Sequence, residues 1–446
     1  MRVALNNISA YLNKPTGSAS LAIFRIVFGC IMTIGVLRFY FNGWIEPQYI
    51  DPKIHFPFYG FEWVQVLPPS GMYLVFMLMG ISAVGIMLGL FYRFSSILFF
   101  LTFTYVELID QSNYLNHYYF VSLVAFLLIF IPAHVRFSLD IQRNPNLKSM
   151  TIPQWAVVSV KLQLAILYFF AGVAKLNYAW LIDANPMRIW LPAHNHLPII
   201  GSLLTATWVA YLFSWVGCLY DLTIPFFLSW RKSRWLAFAA VVIFHLATAL
   251  FFQIGMFPYI MIGASLIFFS SDFHERLLSR FEVKRVKGAI GRMYSFDGKK
   301  MIYPVLIVFF LLQIMLPLRN HFYEGNLFWH EQGYRFSWRV MLMEKAGTAF
   351  FKVKDLKSGR EEYVCNRTYL TPQQEKMMST QPDMMLTFAH IIKEDYQKRG
   401  FDEIGVFAES YASLNGQGSR PFVDSNVDLS LEKEGFQKKT WVLPYE

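Results

Sequence analysis

Apolar residues in this chain come in long blocks, and the blocks approach the roughly 20 residues that a helix needs to cross a bilayer. They run from Leu21 to Leu37, Gly71 to Tyr92, Ser95 to Ile109, Tyr118 to Ala133, Trp155 to Ala174, Ala206 to Leu228, Trp235 to Phe252, Gly255 to Phe269 and Ile302 to Pro317. The pattern predicts a mainly α, polytopic membrane protein with about nine transmembrane helices. The first block is long enough to stay as an anchor, where a cleaved leader would be shorter. After Pro317 apolar and polar residues mix. Thr348 to Val364 alternates around Lys357, Ser358 and Gly359 and reads as a β-hairpin. Thr371 to Arg399 has helical periodicity after a Thr-Pro start, and Glu403 to Leu414 reads as a strand. The expected organisation is a transmembrane helical domain over 1–317 and a C-terminal α+β extramembrane domain over 318–446.

Composition supports this class: of 446 residues, 55% are hydrophobic, 18% aromatic and only 16% charged. A net charge of +10 would suggest nucleic acid in a soluble protein, but here the basic residues sit in short connections between apolar blocks. With the N-terminus inside, the inner connections hold Arg2, Lys14, Arg93, Arg136, Arg143, Lys148, Arg231, Lys232 and Arg234. The last inner loop adds Arg276, Arg280, Lys284, Arg285, Lys287, Arg292, Lys299 and Lys300, while the outer connections hold little beyond Lys53 and Arg188. The positive-inside bias therefore puts the C-terminal domain outside and excludes a nucleic-acid partner.

Familiar soluble chemistry is missing. Cys30, Cys218 and Cys365 are scattered, which argues against a disulfide framework or a zinc site. The chain has no Walker A, G-x-G-x-x-G or G-x-S-x-G motif. His194 and His196 form an H-x-H pair with no acidic or cysteine partner at a ligand spacing, so no metal is expected. What remains is YFFAGVAKLNYAW, Tyr168 to Trp180, an apolar run that ends on Lys175. A charge in hydrocarbon costs about 3 kcal/mol or more, so Lys175 is either a functional group or an anchor whose ammonium snorkels to the headgroups. Asn116, His117 and His245 fall in the same outer half, and Asp221 and His245 are polar residues inside spans that a packed core could also satisfy. An amine kept from water holds its proton less tightly and becomes a usable base. A hydroquinone hydroxyl resembles a phenol, whose reference value of about 10 lies close to the 10.4 of an amine. An apolar site among spans would also admit a lipid-soluble quinol from the bilayer.

Several blocks, in order, carry a wider likeness: SLAIFRIVFG (20–29), GMYLVFMLMG with IMLGLFYRFS (71–95), LNHYYF (115–120), YFFAGVAKLNYAW, FHLATALFFQIGMFPYIM (244–261) and GYRFSW (333–338). With them the sequence resembles the vitamin K-dependent γ-glutamyl carboxylase family over nearly its whole length. The resemblance implies an integral membrane carboxylase with coupled epoxidase activity and no metal. Its cofactor would be reduced vitamin K, phylloquinol or menaquinol, with O₂ and CO₂ as co-substrates, and its partner a glutamate-containing protein or peptide. By the same resemblance Lys175 deprotonates the hydroquinone, and Asn116 and His117 hydrogen-bond it or its oxygenated forms. His245 and His321 line the cofactor cavity, and Tyr334 and Trp338 bind the glutamate substrate. The quinol anion reacts with O₂ to give an oxygen base that takes the γ-proton, CO₂ adds, and the quinone leaves as its epoxide. The sequence departs from the animal members by ending soon after TWVLPYE (440–446) and by carrying His55 where they carry cysteine. It looks like a short bacterial homologue of the cytoplasmic membrane. In a eukaryote the same topology would belong to the endoplasmic reticulum, with Asn366-Arg367-Thr368 as a glycan acceptor. Two other functions stay open: a quinol epoxidase or oxygenase without carboxylation, and a non-catalytic membrane protein that binds a lipid or partner.

Overall fold

The computed structural model describes residues 2–252, 254–280, 294, 299–401 and 403–445, so Lys284, Arg285, Lys287 and Arg292 of the basic loop lie outside the described residues. Each apolar block forms a helix: α1 (Ala19–Phe41), α2 (Pro69–Leu88), α3 (Tyr92–Ile109), α4 (Asn116–Phe130), α5 (Gln154–Ala174), α6 (Thr207–Ser229), α7 (Arg234–Phe251), α8 (Phe257–Ser265) and α9 (Lys299–Leu318). The expectation of nine spans is not matched, because seven helices among the described residues are long and apolar enough to cross a membrane. The exceptions are shorter apolar helices, Asn116–Phe130 and Phe257–Phe268. At a rise of about 1.5 Å per residue, neither reaches across a hydrocarbon core of about 30 Å.

Local chemistry sets the turn between α2 and α3. Gly89 ends α2 in the left-handed region (φ 62°), and a Cβ there would lie 2.4 Å from Ser138 Cβ and 2.8 Å from Arg25 Nη1. The carboxylate of Asp140 then caps α3 by accepting the Phe91 and Tyr92 backbone N–H groups at 2.8 and 2.9 Å. Arg25, fully buried in α1, joins these pieces by donating to the carbonyls of Ala133, Ile86, Met87 and Phe137. Arg25→Met leaves those carbonyls short of a donor and is expected to cost about 3 kcal/mol or more. In thermal unfolding of the detergent-solubilised protein this reads as a clear fall in midpoint, with Arg25→Lys in between because lysine lacks the planar fork. An unchanged midpoint would show that the arginine does not hold the turn.

After α9 the chain builds one antiparallel sheet from β1 (Lys345–Asp355), β2 (Glu361–Tyr363), β3 (Ile404–Leu414) and β4 (Arg420–Pro421), in the order β2-β1-β3-β4. The hairpin and the strand at 404–414 appear where the alternation placed them. The single helix expected over Thr371 to Arg399 is instead two, α10 (Pro372–Met378) and α11 (Pro382–Lys398). Pro382 has no N–H to continue the first helix and restricts the residue before it. The glycan expectation is also corrected: Asn366 is buried and its Nδ2 donates to Ala349 O at 2.8 Å, so the acceptor nitrogen is already committed. A buried apolar cluster runs without a break from Ala174, Trp180 and Cys218 in the bundle to Trp329, Phe351 and Phe388 of the C-terminal region. The sheet region therefore seats on the end of the bundle where α5 stops.

Candidate active site

Helix α5 stops at Lys175, which is its C-terminal cap. Two residues on, the side chain of Asn177 accepts the Trp180 backbone N–H at 3.0 Å and starts a new short helix. Lys175 thus sits at a break in the helix. Gly172 lies one turn earlier, where a Cβ would meet Leu222 N at 2.8 Å and Leu222 Cγ at 2.7 Å. Only glycine lets α5 and α6 approach this closely, and the approach puts Asp221 beside the lysine. Lys175 Nζ donates to Asp221 Oδ2 at 2.6 Å and to Ala171 O at 3.2 Å, and it lies 5.4 Å from the Trp180 ring centre. Both side chains are buried, with 8% of each exposed.

The pair faces a cavity of about 470 Å³ walled by α5, α6, α7, the start of α8 and the backbone segment at Val340 and Met341. Most of the lining is aromatic or aliphatic, including Tyr168, Trp180, Tyr220, Phe244, Phe252 and Phe257. His245 enters from α7, and its Nε2 is 2.9 Å from the Tyr168 hydroxyl while its buried Nδ1 has no partner among the described residues. Tyr220 stacks on Phe244 with ring centres 4.0 Å apart, closing the wall beside Asp221.

The other expected site residues lie around this cavity rather than in it. Buried His117 is separated from it by Phe257, whose ring is 5.7 Å from His117 on one side and 5.7 Å from His245 on the other. Asn116 donates to Arg339 O at 3.0 Å and accepts from the Tyr114 hydroxyl at 3.1 Å, so its amide holds a neighbouring segment. The Tyr114 hydroxyl in turn accepts the Phe336 N–H at 2.9 Å. His321 is exposed beyond the end of α9 and does not line the cavity. Trp338 is fully buried against Tyr119, with ring centres 5.0 Å apart, and half-buried Tyr334 packs toward Phe328. Burial, with Glu331 nearby, pushes the Tyr334 phenol well above its ordinary value, so it stays protonated. His194 and His196 have ring centres 6.1 Å apart, and His194 Nδ1 is hydrogen-bonded to Trp190 O.

The segment that joins these residues is strained. Glu331, Phe336, Trp338 and Met341 all have positive φ, between 52° and 59°. Bulky residues in that region are outliers, and such outliers cluster at functional sites. Hydrogen bonds at Asn116 and Tyr114 tie this segment to the start of α4.

The residue that the sequence did not single out as part of the site is Asp221, the partner of Lys175. A signal for it existed, since it is the one acidic residue in the apolar run of α6 and an intramembrane acid usually pairs with an intramembrane base. Tyr168 and Tyr220 carried no such mark, because tyrosines are common in aromatic spans.

A helical bundle with a charged pair facing an apolar cavity defines an integral membrane protein with an intramembrane site. A family model of the HTTM domain matches residues 13–273, and one of the vitamin K-dependent gamma-carboxylase, lumenal domain, matches residues 298–446. The chain belongs to the vitamin K-dependent gamma-carboxylase family. No solved structure matches it. The family implies a vitamin K cofactor and a glutamate-containing protein substrate. The cavity suits such a cofactor: its volume is within the range of small-molecule sites, its walls are mostly aromatic and aliphatic, and its few polar groups are of the kind that hydrogen-bond quinol oxygens. Lys175 and the unpartnered His245 Nδ1 would hold those oxygens, with Tyr220, Phe244 and Phe257 against the ring system.

Proposed function

We propose that the protein oxidises a reduced naphthoquinone in the Lys175 cavity and couples that oxidation to carboxylation of protein glutamate, with release of the epoxide. The observation that carries this reading is the buried Lys175–Asp221 contact of 2.6 Å facing an otherwise apolar cavity. Bound as the hydroquinone and oxidised by O₂, vitamin K would supply a base stronger than any side chain, able to take a glutamyl γ-proton so that CO₂ can add. The residues of this chain do the preparatory work. Along the short contact the Lys175 proton moves to Asp221 Oδ2, turning an ion pair into an amine and an acid. Desolvation opposes charge separation here and reduces the cost of that transfer. The free amine at Nζ then accepts the hydroxyl proton, while His245 and the aromatic walls orient the ring and keep water away. The basic connections support an orientation with the Lys175 end outside, in which the C-terminal region would meet its protein substrate beyond the membrane.

The absence of half-buried Tyr334 and fully buried Trp338 from the cavity lining favours a second reading, quinol oxidation without carboxylation. One experiment separates the two. The purified protein in detergent is incubated with a reduced naphthoquinone, O₂, labelled bicarbonate and a glutamate-rich peptide. Label in the peptide together with epoxide is the expected result, epoxide without label supports the second reading, and neither product overturns both.

A further inference from the structure

A second cleft, of about 370 Å³, opens between the loop at 57–62, the segment at 319–336, helix α11 and the loop at 434–439. Most of its charges are already matched: Arg335 pairs with Asp383, Lys439 with Glu434 at 2.6 Å, and Glu331 with Lys345 at 2.8 Å. Burial works against the Asp383 carboxylate, but Arg335 and Lys439 outweigh it and hold the group below its usual range, so this pair is closed to a ligand. Among the described residues Arg319 is the cleft cation with no carboxylate partner and donates only to the Arg335 carbonyl; its guanidinium lies 6.0 Å from the Phe336 ring.

His330 supplies an independent observation. It is 9% exposed, lines the same cleft, and its buried Nε2 has no partner among the described residues. Its Nδ1 accepts the Gln332 N–H at 3.0 Å, so Nε2 carries the proton and is a donor without an acceptor. Burial, then Lys345 and Lys438, push this imidazole down to about 4, and it remains neutral at neutral pH. At the rim, Tyr59 and Phe436 are 49% and 76% exposed, with ring centres 5.3 Å apart. Glu62, also at the rim, already accepts the Gly60 N–H at 2.8 Å and is screened by water.

We propose that this cleft docks an acidic peptide segment, with one side-chain carboxylate taken by the Arg319 guanidinium and the His330 Nε2–H and the neighbouring residue held against Tyr59 and Phe436. The inference rests on the reading of the protein as a carboxylase of peptide glutamate. It also supplies what that reading lacks, since the segment that lines the cleft at His330 to Phe336 continues to Val340 and Met341 in the wall of the Lys175 cavity. A peptide held here is anchored on the strained stretch of chain that borders the chemistry.

The test is direct binding of a fluorescent glutamate-rich peptide, and of its glutamine counterpart, to the full chain in nanodiscs without quinone. The glutamate peptide is expected to bind about tenfold or more tightly than the glutamine one, the value of a charge-assisted hydrogen-bond pair. Arg319→Gln should remove that preference and His330→Leu should weaken it. Because either variant can disturb folding, the unmutated protein is also cross-linked to a peptide carrying benzoylphenylalanine, and the adducts are expected within 57–62 or 434–439. A preference that survives Arg319→Gln overturns the proposal, as do adducts elsewhere, equal binding of the two peptides, or displacement of the peptide only by anionic lipid vesicles. Because this binding needs no turnover, a silent labelled-bicarbonate assay alongside intact binding would overturn the carboxylase reading and leave the cleft standing.

Discussion

Lys175→Ala is expected to lower hydroquinone oxidation by about a thousandfold, within the usual range for removing a positioned base, and to destabilise the protein as well. A lone amine in an apolar cavity would be dispensable to folding. This one is paired at 2.6 Å, and removing it strands the Asp221 carboxylate. Breaking a buried pair from one side costs about 3–5 kcal/mol, whereas replacing both partners with apolar groups is often neutral. The double variant Lys175→Ala with Asp221→Ala should therefore recover most of the thermal stability and none of the activity. Unfolding midpoints and epoxide formation, measured on the same preparations, check both halves. A single variant as stable as the parent would mean that the pair carries little energy, and an active double variant would mean that the base lies elsewhere.

Asp221→Asn separates two roles that the geometry leaves to this carboxylate. If it accepts the lysine proton, an amide cannot replace it. The rate should then fall by about a hundredfold, because Lys175 must lose its proton to solvent through an apolar wall. If Asp221 merely held the ammonium in place, removing its charge would release the amine and the rate would rise. The rate of epoxide formation distinguishes the two, and an Asp221→Asn enzyme faster than the parent would end the relay.

Much of this architecture was legible in the chain, because burial in a bilayer writes itself into long apolar blocks and alternation writes itself into Lys345–Asp355 and Ile404–Leu414. Termination was less legible: Pro382 divides a helix that periodicity alone runs through, and α4 stops at Phe130 although the apolar block continues. For the site, Lys175 and His245 could be named because a charge or imidazole in an apolar run is conspicuous. Asp221 was visible as a residue but not as a partner, since pairing depends on the close approach at Gly172 and Leu222, which no local pattern encodes. The same limit applies to His117, Tyr334 and Trp338. Their places relative to the cavity depend on Phe257 and on the positive-φ segment that Asn116 and Tyr114 tie down.

That Lys175 is a base rather than only the buried partner of Asp221 is tested most directly by epoxide formation in Lys175→Arg. Arginine keeps the positive charge and can pair with Asp221 as lysine does, yet its guanidinium does not give up its proton. The expected result is a folded protein with stability close to the parent and epoxide formation as low as that of Lys175→Ala. Near-normal epoxide formation by Lys175→Arg would contradict the assignment and leave Lys175 as the structural partner of Asp221.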